Sequence, residues 1–182
     1  MNKLYRLIRY DLPVHFLLLF TNWLPDNVPF LIFRGAIVSK FLGSCGRNLQ
    51  LGRDVSFYNP SKIHIGEDVY IGHGSRFIAD ELIELQDQVL LGPYCIVASS
   101  NHTRLGNSYR FGIPKQSPIT IGKGSWLAAH VTVTAGSRIG PGTLVAAGAV
   151  TRGELPPNTV VGGIPASVIK VLTDSYPEAD EG

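Results

Sequence analysis

A six-residue repeat is the feature of this sequence that most restricts its fold. Large aliphatic residues recur every six positions through the second half of the chain, at Ile121, Leu127, Val133, Ile139 and Val145. An earlier series runs Ile65, Ile71, Phe77 and Ile83, then shifts by two to Leu85, Leu91 and Val97. A helix repeats every 3.6 residues and a half-buried strand every 2, so neither element explains a spacing of six.

A parallel β-helix does explain the spacing, because each hexad then makes one short strand and one tight turn. Three hexads close a triangular coil of about 18 residues, and the aliphatic residues stack inside at about 4.8 Å per coil. The next position lies where backbones crowd, which favours a small residue such as Gly122. A helical interpretation of 119–151 fails because this segment contains six Gly, Pro141 and a β-branched run. The sequence therefore predicts an all-β chain.

Segments without the repeat divide the rest of the chain. Residues 1–42 predict one or two helices with exposed apolar faces, and 43–172 form the predicted β-helix domain. Within it, 98–118 is a polar interruption with two Gly and two Pro, and so long an excursion from a solenoid is usually functional. Residues 166–172 predict a short C-terminal helix or an extended cap. Residues 173–182 carry four acids and no base, typical of a solvated tail.

Net charge and cysteine content exclude several classes of function. The formal net charge is only +2, too small to indicate a nucleic acid partner. Cys45 and Cys95 form no CxxC pair and lie in no His-rich setting, so we expect neither a disulfide framework nor a metal site. A reducing cytoplasm is the expected location. Both thiols are expected to be buried small apolar groups rather than nucleophiles.

The N-terminal segment leaves two interpretations open. Residues 1–40 hold five bases against two acids, and the charge-free stretch 12–25 is shorter than the roughly 20 residues that span a bilayer. Its apolar faces could pack on the rest of the chain or on a sister subunit. Alternatively, the basic side around Lys3, Arg6 and Arg9 could contact a membrane surface peripherally.

Four features together resemble the hexapeptide-repeat acetyltransferases. They are the repeat, the Asn101-His102 pair, the segment Gly122-Lys123-Gly124-Ser125-Trp126 and the ending Gly162-Gly163-Ile164-Pro165-Ala166. Within that family the sequence resembles the maltose and galactoside enzymes, and still more the O-acetyltransferases of capsule, O-antigen and exopolysaccharide loci. The resemblance implies a left-handed β-helix and a homotrimer with active sites shared between subunits. It also implies acetyl-CoA as donor, a sugar hydroxyl as acceptor, and no metal.

The resemblance also assigns roles to individual residues. His102 stands at the position of the family's catalytic histidine. The implied contacts to acetyl-CoA are Trp126, Ala129, Ala147, Thr151, Arg152 and Lys170. We place Asp80, Asn101 and Arg104 at the saccharide acceptor. The asparagine that the small-sugar enzymes use has no counterpart near 78–80, which favours a cell-surface polysaccharide or its lipid-linked precursor over a free sugar.

The assigned chemistry suits these residue types. A sugar hydroxyl is a weak nucleophile, and a histidine acting as general base can take its proton while the oxygen attacks the thioester. A thioester is already activated, so no covalent enzyme intermediate is needed. The remaining histidines lie in the helical segment or at outward and corner hexad positions, where packing or solvated roles are expected: His15, His64, His73 and His130.

Four other functions remain as alternatives, one of which is transfer of another acyl group or transfer to an amine. An acetyltransferase of small free sugars would use the same chemistry on another acceptor. A non-catalytic β-helix scaffold would need no Asn101-His102 pair in its loop. A γ-type carbonic anhydrase on the same fold needs three histidine ligands for zinc, including a pair five apart, but position 107 is Asn.

Overall fold

A computed structural model of the protein, which describes residues 2–173, shows the hexads as the stacked coils of a three-faced parallel β-helix. The first face contains β1 (Ser44–Cys45), β4 (Ile63–Ile65), β7 (Ile83–Leu85), β12 (Ile119–Ile121), β15 (Arg138–Ile139) and β18 (Glu154–Leu155). The second contains β2 (Gln50–Leu51), β5 (Tyr70–Ile71), β8 (Leu90–Leu91), β13 (Trp126–Leu127), β16 (Leu144–Val145), β19 (Thr159–Gly163) and β20 (Ala166–Val171). The third contains β3 (Ser56–Tyr58), β6 (Arg76–Ile78), β9 (Ile96–Ala98), β14 (Thr132–Val133) and β17 (Val150–Thr151).

The predicted aliphatic positions line the interior of the coils. Leu91, Leu127 and Val145 are direct register partners on the second face, and all three are fully buried. On the third face, the rings of Phe57 and Phe77 stack with centroids 5.2 Å apart. Each large apolar side chain buried in this way contributes about 1.5–3 kcal/mol to folding. The predicted β-helix is therefore confirmed.

The coils differ in length, and the difference falls at one edge. Register partners Cys45, Ile65 and Leu85 follow at intervals of 20 residues, whereas Ile121 and Ile139 are 18 apart. The predicted coil of 18 residues is thus correct for the first coil after the long interruption and two residues too short before it. The last coil, from Ile139 to its partner Leu155, has only 16 residues. We call the turn from the third to the first face the loop edge: residues 59–62, 79–82, 99–118, 134–137 and 152–153. The turn from the second to the third face is the groove edge: residues 52–55, 72–75, 92–95, 128–131 and 146–149.

The small residue after each inward aliphatic has a steric cause. A Cβ atom at Gly72 would lie 2.6 Å from the carbonyl carbon of Gly92 and 2.7 Å from the nitrogen of Pro93. At Gly122 the corresponding distance is 2.5 Å, to the nitrogen of Pro141. These neighbours are backbone atoms of the next coil, which cannot turn aside. At Gly72 and Gly122 the close contact with the next coil therefore depends on glycine, whereas Ala128 shows that another coil accepts a methyl group at the same position.

Helices precede the first coil, as the sequence predicted. Helix α1 (Lys3–Arg6), a π-helical turn (Leu7–Asp11) and α2 (Leu12–Thr21) form one continuous helical rod, and α3 (Val28–Val38) follows. Short 3₁₀ turns occur at Ser39–Phe41 and Pro60–Lys62. Val14 and Leu18 of α2 join the apolar core, so the rod packs along one of its sides.

A buried arginine fixes α3 to the first coil. Arg34 is fully buried, and its guanidinium donates to the carbonyl oxygens of Leu51 and Leu24. It also pairs with the carboxylate of Asp26 at 3.2 Å. A buried charge is costly without such partners, so this network makes the helical segment part of the folded body.

For the C-terminal segment the sequence left a short helix or an extended cap open, and the structure shows the extended form. Residues 166–172 are not helical. Strand β20 instead pairs antiparallel with β19, so that Val160 is the register partner of Lys170. This pairing satisfies the backbone groups at the edge of the second face, which a helix would leave open. Except for Thr173, the predicted acidic tail lies outside the described residues.

No helix among residues 2–173 is both long enough and apolar enough to cross a bilayer.

Candidate active site

The long interruption forms an arm that projects from the loop edge. Strands β10 (Ser100–Asn101) and β11 (Lys115–Gln116) pair antiparallel at its base. Beyond them, the hydrogen bonds that residues 102–114 make in the described structure all have partners within the arm; for example, the hydroxyl of Thr103 donates to the carbonyl oxygen of Ile113. His102 follows β10 directly, and its side chain is exposed. The arm therefore leaves the His102 side chain accessible to a molecule bound beside the coils.

A polar cluster supports the base of the arm. The hydroxyl of Ser100 donates to the carboxylate of Asp80, which lies in the preceding coil at the same edge. Lys62, one coil further back, donates to the backbone carbonyl oxygen of Asp80 and lies 3.7 Å from the carboxylate of Glu81. Asp80 lies between Phe77 and Leu85, the segment that holds the two extra residues of the longer coils. We call Asp80, Ser100, Asn101 and His102 the acceptor half-site, after the role that the sequence predicts for Asp80 and Asn101.

Two roles in this cluster were missed by sequence reasoning. Ser100 and Lys62 were not singled out, although both orient Asp80. Their signal in the sequence is the interval of 20 residues between Asp80 and Ser100, which places them in adjacent coils. The predicted acceptor residue Arg104 lies further out on the arm, where its guanidinium donates to the side-chain oxygen of Asn107 at 2.7 Å.

Four of the predicted cofactor residues share a different surface. Trp126 and Lys170 lie on the same outward row of the second face, three strands apart, which is about 14 Å at the usual strand spacing. Ala129 and Ala147 are neighbours on the groove edge, where the Gly148 N–H donates to the carbonyl oxygen of Ala129 at 2.9 Å. All except Ala129, which is half-buried, are exposed. We call Trp126, Ala129, Ala147 and Lys170 the donor half-site.

The two other predicted cofactor residues do not lie on this surface. Thr151 is fully buried, and its hydroxyl donates to that of Ser137 at 3.0 Å. Side chains alternate along a strand, so Val150 points outward and Thr151 inward. The Thr151 side chain therefore points away from the surface that carries the other four residues, and any contact of Thr151 with the cofactor would have to use its backbone. Arg152 is exposed on the loop edge, two coils beyond the arm.

Within one chain the two half-sites lie on different edges. Tyr94 on the groove edge and Ser99 on the loop edge are separated by β9, and five extended residues span roughly 16 Å. The arm also makes no hydrogen bond to the second face in the described residues. A single chain therefore does not bring His102 together with Ala147.

The other histidines have structural surroundings. His73 lies 3.4 Å from the carboxylate of Asp26, and Tyr94 lies between His73 and His130 in an aromatic column along the groove edge. The rings of Tyr94 and His130 are stacked with centroids 5.2 Å apart. His64 is half-buried on the first face and His15 is exposed on α2. His130 adjoins Ala129 in sequence, so this column borders the donor half-site.

The two cysteines are not poised for nucleophilic chemistry. Burial raises the pKa of both the Cys45 and the Cys95 thiol to about 11. Near neutral pH both thiols therefore stay protonated, whereas a reactive cysteine must be a thiolate. Among the described residues, no group of three His, Cys, Asp or Glu side chains is arranged to hold a metal ion.

Comparison with known proteins agrees with this geometry, although no protein-family model matches the sequence. The galactoside O-acetyltransferase of Escherichia coli K12 is 28% identical over 78% of this chain and 70% of its own length. WbbJ of the same strain, a proposed O-acetyl transferase of lipopolysaccharide biosynthesis, is 31% identical over 62% of this chain and 73% of its own length. A solved galactoside acetyltransferase in complex with coenzyme A, 26% identical, superposes with a TM-score of 0.82 and covers 98% of this chain and 90% of its own.

The coils, the arm and these similarities define an acyltransferase built on a left-handed parallel β-helix. The chain belongs to the hexapeptide-repeat acetyltransferases.

Proposed function

We propose that this protein transfers the acetyl group of acetyl-CoA to a hydroxyl of a cell-surface polysaccharide or its lipid-linked precursor, with His102 as general base. The observation that carries this proposal is the placement of His102. It stands exposed on a projecting arm, directly after a strand that is tied to Asp80 through Ser100. A solvated loop histidine would not need such a support.

The imidazole of His102 would act on the acceptor hydroxyl. As the hydroxyl oxygen forms its bond to the thioester carbonyl carbon, the neutral imidazole takes the hydroxyl proton. The resulting tetrahedral intermediate collapses by breaking the carbon–sulfur bond, and the imidazolium returns the proton to the departing thiolate. The acetyl ester and free CoA are the products, and His102 ends neutral.

The donor half-site suits an extended thiol cofactor. Ala129 and Ala147 have small side chains on an open edge, which lets a pantetheine chain approach the backbone. Trp126 supplies an apolar ring on the adjoining face, and Lys170 supplies a positive charge for a phosphate. The solved galactoside acetyltransferase, which superposes over nearly all of this chain, contains bound coenzyme A.

A homotrimer would join the half-sites that one chain keeps apart. The arm carries four strongly exposed apolar side chains, each more than 60% accessible, at Leu105, Tyr109, Phe111 and Ile113. So large an apolar area on a projecting arm is typical of a protein interface. In a cyclic assembly the arm of one subunit would lie beside the donor half-site of its neighbour.

The acceptor is argued from charge and from similarity. The arm carries Arg104, Arg110 and Lys115, all exposed, which suits an acidic or phosphate-linked glycan. The similarity to WbbJ points toward an envelope saccharide. The similarity to galactoside O-acetyltransferase favours the alternative, a small free sugar, with the same chemistry. On the first proposal the enzyme works in the cytoplasm, on glycans assembled at the inner face of the membrane.

Deleting the gene should remove one class of O-acetyl group from the cell-surface polysaccharide. The measurement is the number of O-acetyl signals per repeat unit in the proton NMR spectrum of the isolated polysaccharide. The wild-type gene should restore the signal, and the matched His102→Ala gene should not. An unchanged acetyl pattern, together with efficient acetylation of a free disaccharide by the pure protein, would replace the proposed acceptor with a small sugar.

A further inference from the structure

One side of the N-terminal helical rod is a continuous apolar strip. Leu4, Ile8, Leu12, Phe16, Leu19, Phe20 and Trp23 are all exposed, with Trp23 at 78% and Phe20 at 69%. The rings of Phe16 and Phe20 stack 6.5 Å apart. The opposite side of the rod packs on the first coil through Val14 and Leu18, so the strip cannot turn inward. The rod of 19 residues is about 28 Å long.

The N-terminal end of the strip carries basic groups without acidic neighbours. The two acids of this segment are engaged: Asp11 pairs with Arg6 at 3.1 Å, and Asp26 pairs with Arg34 at 3.2 Å. The basic groups left over are all exposed: Lys3, Arg9 and Lys40. Arg9 lines an apolar depression together with Leu4, Tyr5, Ile8 and Phe41, and Lys3 and Lys40 are the sequence neighbours of Leu4 and Phe41. The guanidinium of Arg9 lies over the Phe41 ring and donates to the Lys40 carbonyl oxygen.

A second copy of the chain or a lipid leaflet could cover this surface, and the charges of the segment distinguish between the two. A second copy placed face to face would bring the three positive charges of one copy against the same three of the other. This segment offers no unpaired acid to neutralise them. An anionic lipid leaflet supplies both required features, because its headgroups are negative and its acyl region is apolar. The exposed aromatic residues Tyr5 and Trp23 suit the boundary between the two regions.

We propose that the strip and its basic end form a docking surface for an anionic phospholipid leaflet. The rod lies in the plane of the interface, with Ile8, Phe16 and Phe20 inserted among the upper acyl chains. Lys3, Arg9 and Lys40 contact the phosphate groups. This surface is separate from the acetyl-transfer site, since it involves neither half-site. Docking would hold the enzyme where membrane-linked saccharides are accessible.

The test is sedimentation of the full-length protein with vesicles. Phosphatidylcholine vesicles that contain about 30% of the anionic lipid phosphatidylglycerol, which gives the surface a negative potential, are compared with vesicles of phosphatidylcholine alone. We expect the wild-type protein to bind the anionic vesicles and to be released by high salt. The double variant Lys3→Gln/Arg9→Gln should weaken binding about fivefold per charge. The double variant Ile8→Ser/Phe20→Ser should weaken it at least about tenfold.

Matched controls separate docking from general surface effects. Arg47→Gln/Arg138→Gln removes the same charge from the coils, and Ile164→Ser/Val168→Ser removes exposed apolar groups from the C-terminal hairpin; both should bind like wild type. Equal losses in these controls, or no wild-type binding, would overturn the proposal. So would dissociation of an oligomer by Ile8→Ser/Phe20→Ser with unchanged vesicle binding. Vesicle binding does not depend on acetyl transfer, so failure of the proposed enzymatic function would leave this result intact.

Discussion

Replacing His102 with alanine should lower kcat by about 10²- to 10⁴-fold, the usual contribution of general-base catalysis. Without the imidazole, the hydroxyl proton must pass to water as the carbon–oxygen bond forms. The side chain is exposed and makes no hydrogen bond to the coils in the described residues, so its loss should leave the fold intact. The measurement is release of free CoA from acetyl-CoA in the presence of the acceptor.

The matched control is His130→Ala. His130 borders the donor half-site but stacks on Tyr94, so its loss should change kcat far less than the loss of His102. Thermal unfolding and CoA binding should be close to wild type for the His102 variant. Wild-type turnover in His102→Ala would remove this residue from the mechanism.

Substituting Gly72 with alanine should destabilise the protein by about 3 kcal/mol, the upper end of the usual cost of overpacking, because the neighbouring atoms are backbone. The new Cβ would lie 2.6 Å from the carbonyl carbon of Gly92, so one coil must move away from the next. For a chain of this length such a loss lowers Tm by about 6–12 °C. Circular dichroism during heating measures the change.

Gly124→Ala is the corresponding control, because the same methyl group there meets no atom within 4 Å. Gly124 has φ of +67°, so alanine should cost about 1 kcal/mol of backbone strain without crowding. Equal Tm values for the two variants would show that close coil stacking does not determine stability.

The fold could be predicted from the sequence because a hexad repeat leaves few alternatives. The six-residue spacing alone predicts that residues such as Leu127 and Val145 point inward. The glycines that follow inward residues predict where one coil contacts the next. The length of the first coils could not be predicted. The two extra residues, between Phe77 and Leu85, appear in the sequence only as the shift by two from Ile83 to Leu85, and their position became clear only from the strand register.

The site was predicted less completely, for two physical reasons. A pattern of residues does not show which way a strand side chain points, and Thr151 lies inside the coil although the next residue, Arg152, is exposed. A sequence also does not show which edge of the β-helix each turn occupies. His102 and Ala147 belong to one predicted site, yet they lie on different edges of one chain. The support that Ser100 gives to Asp80 likewise depends on stacking between coils.

An acetyl-transfer site that is shared between subunits can be tested most directly by subunit complementation. His102→Ala disables the acceptor half-site, and Ala147→Phe blocks the donor half-site at an exposed position that tolerates bulk. Each variant alone should be nearly inactive. When the two are co-refolded in equal amounts, about a quarter of the sites should pair an intact His102 with an intact Ala147, if each comes from a different subunit. Recovery of about a quarter of wild-type turnover is the predicted result, and a mixture as inactive as its parents would contradict a site shared between subunits.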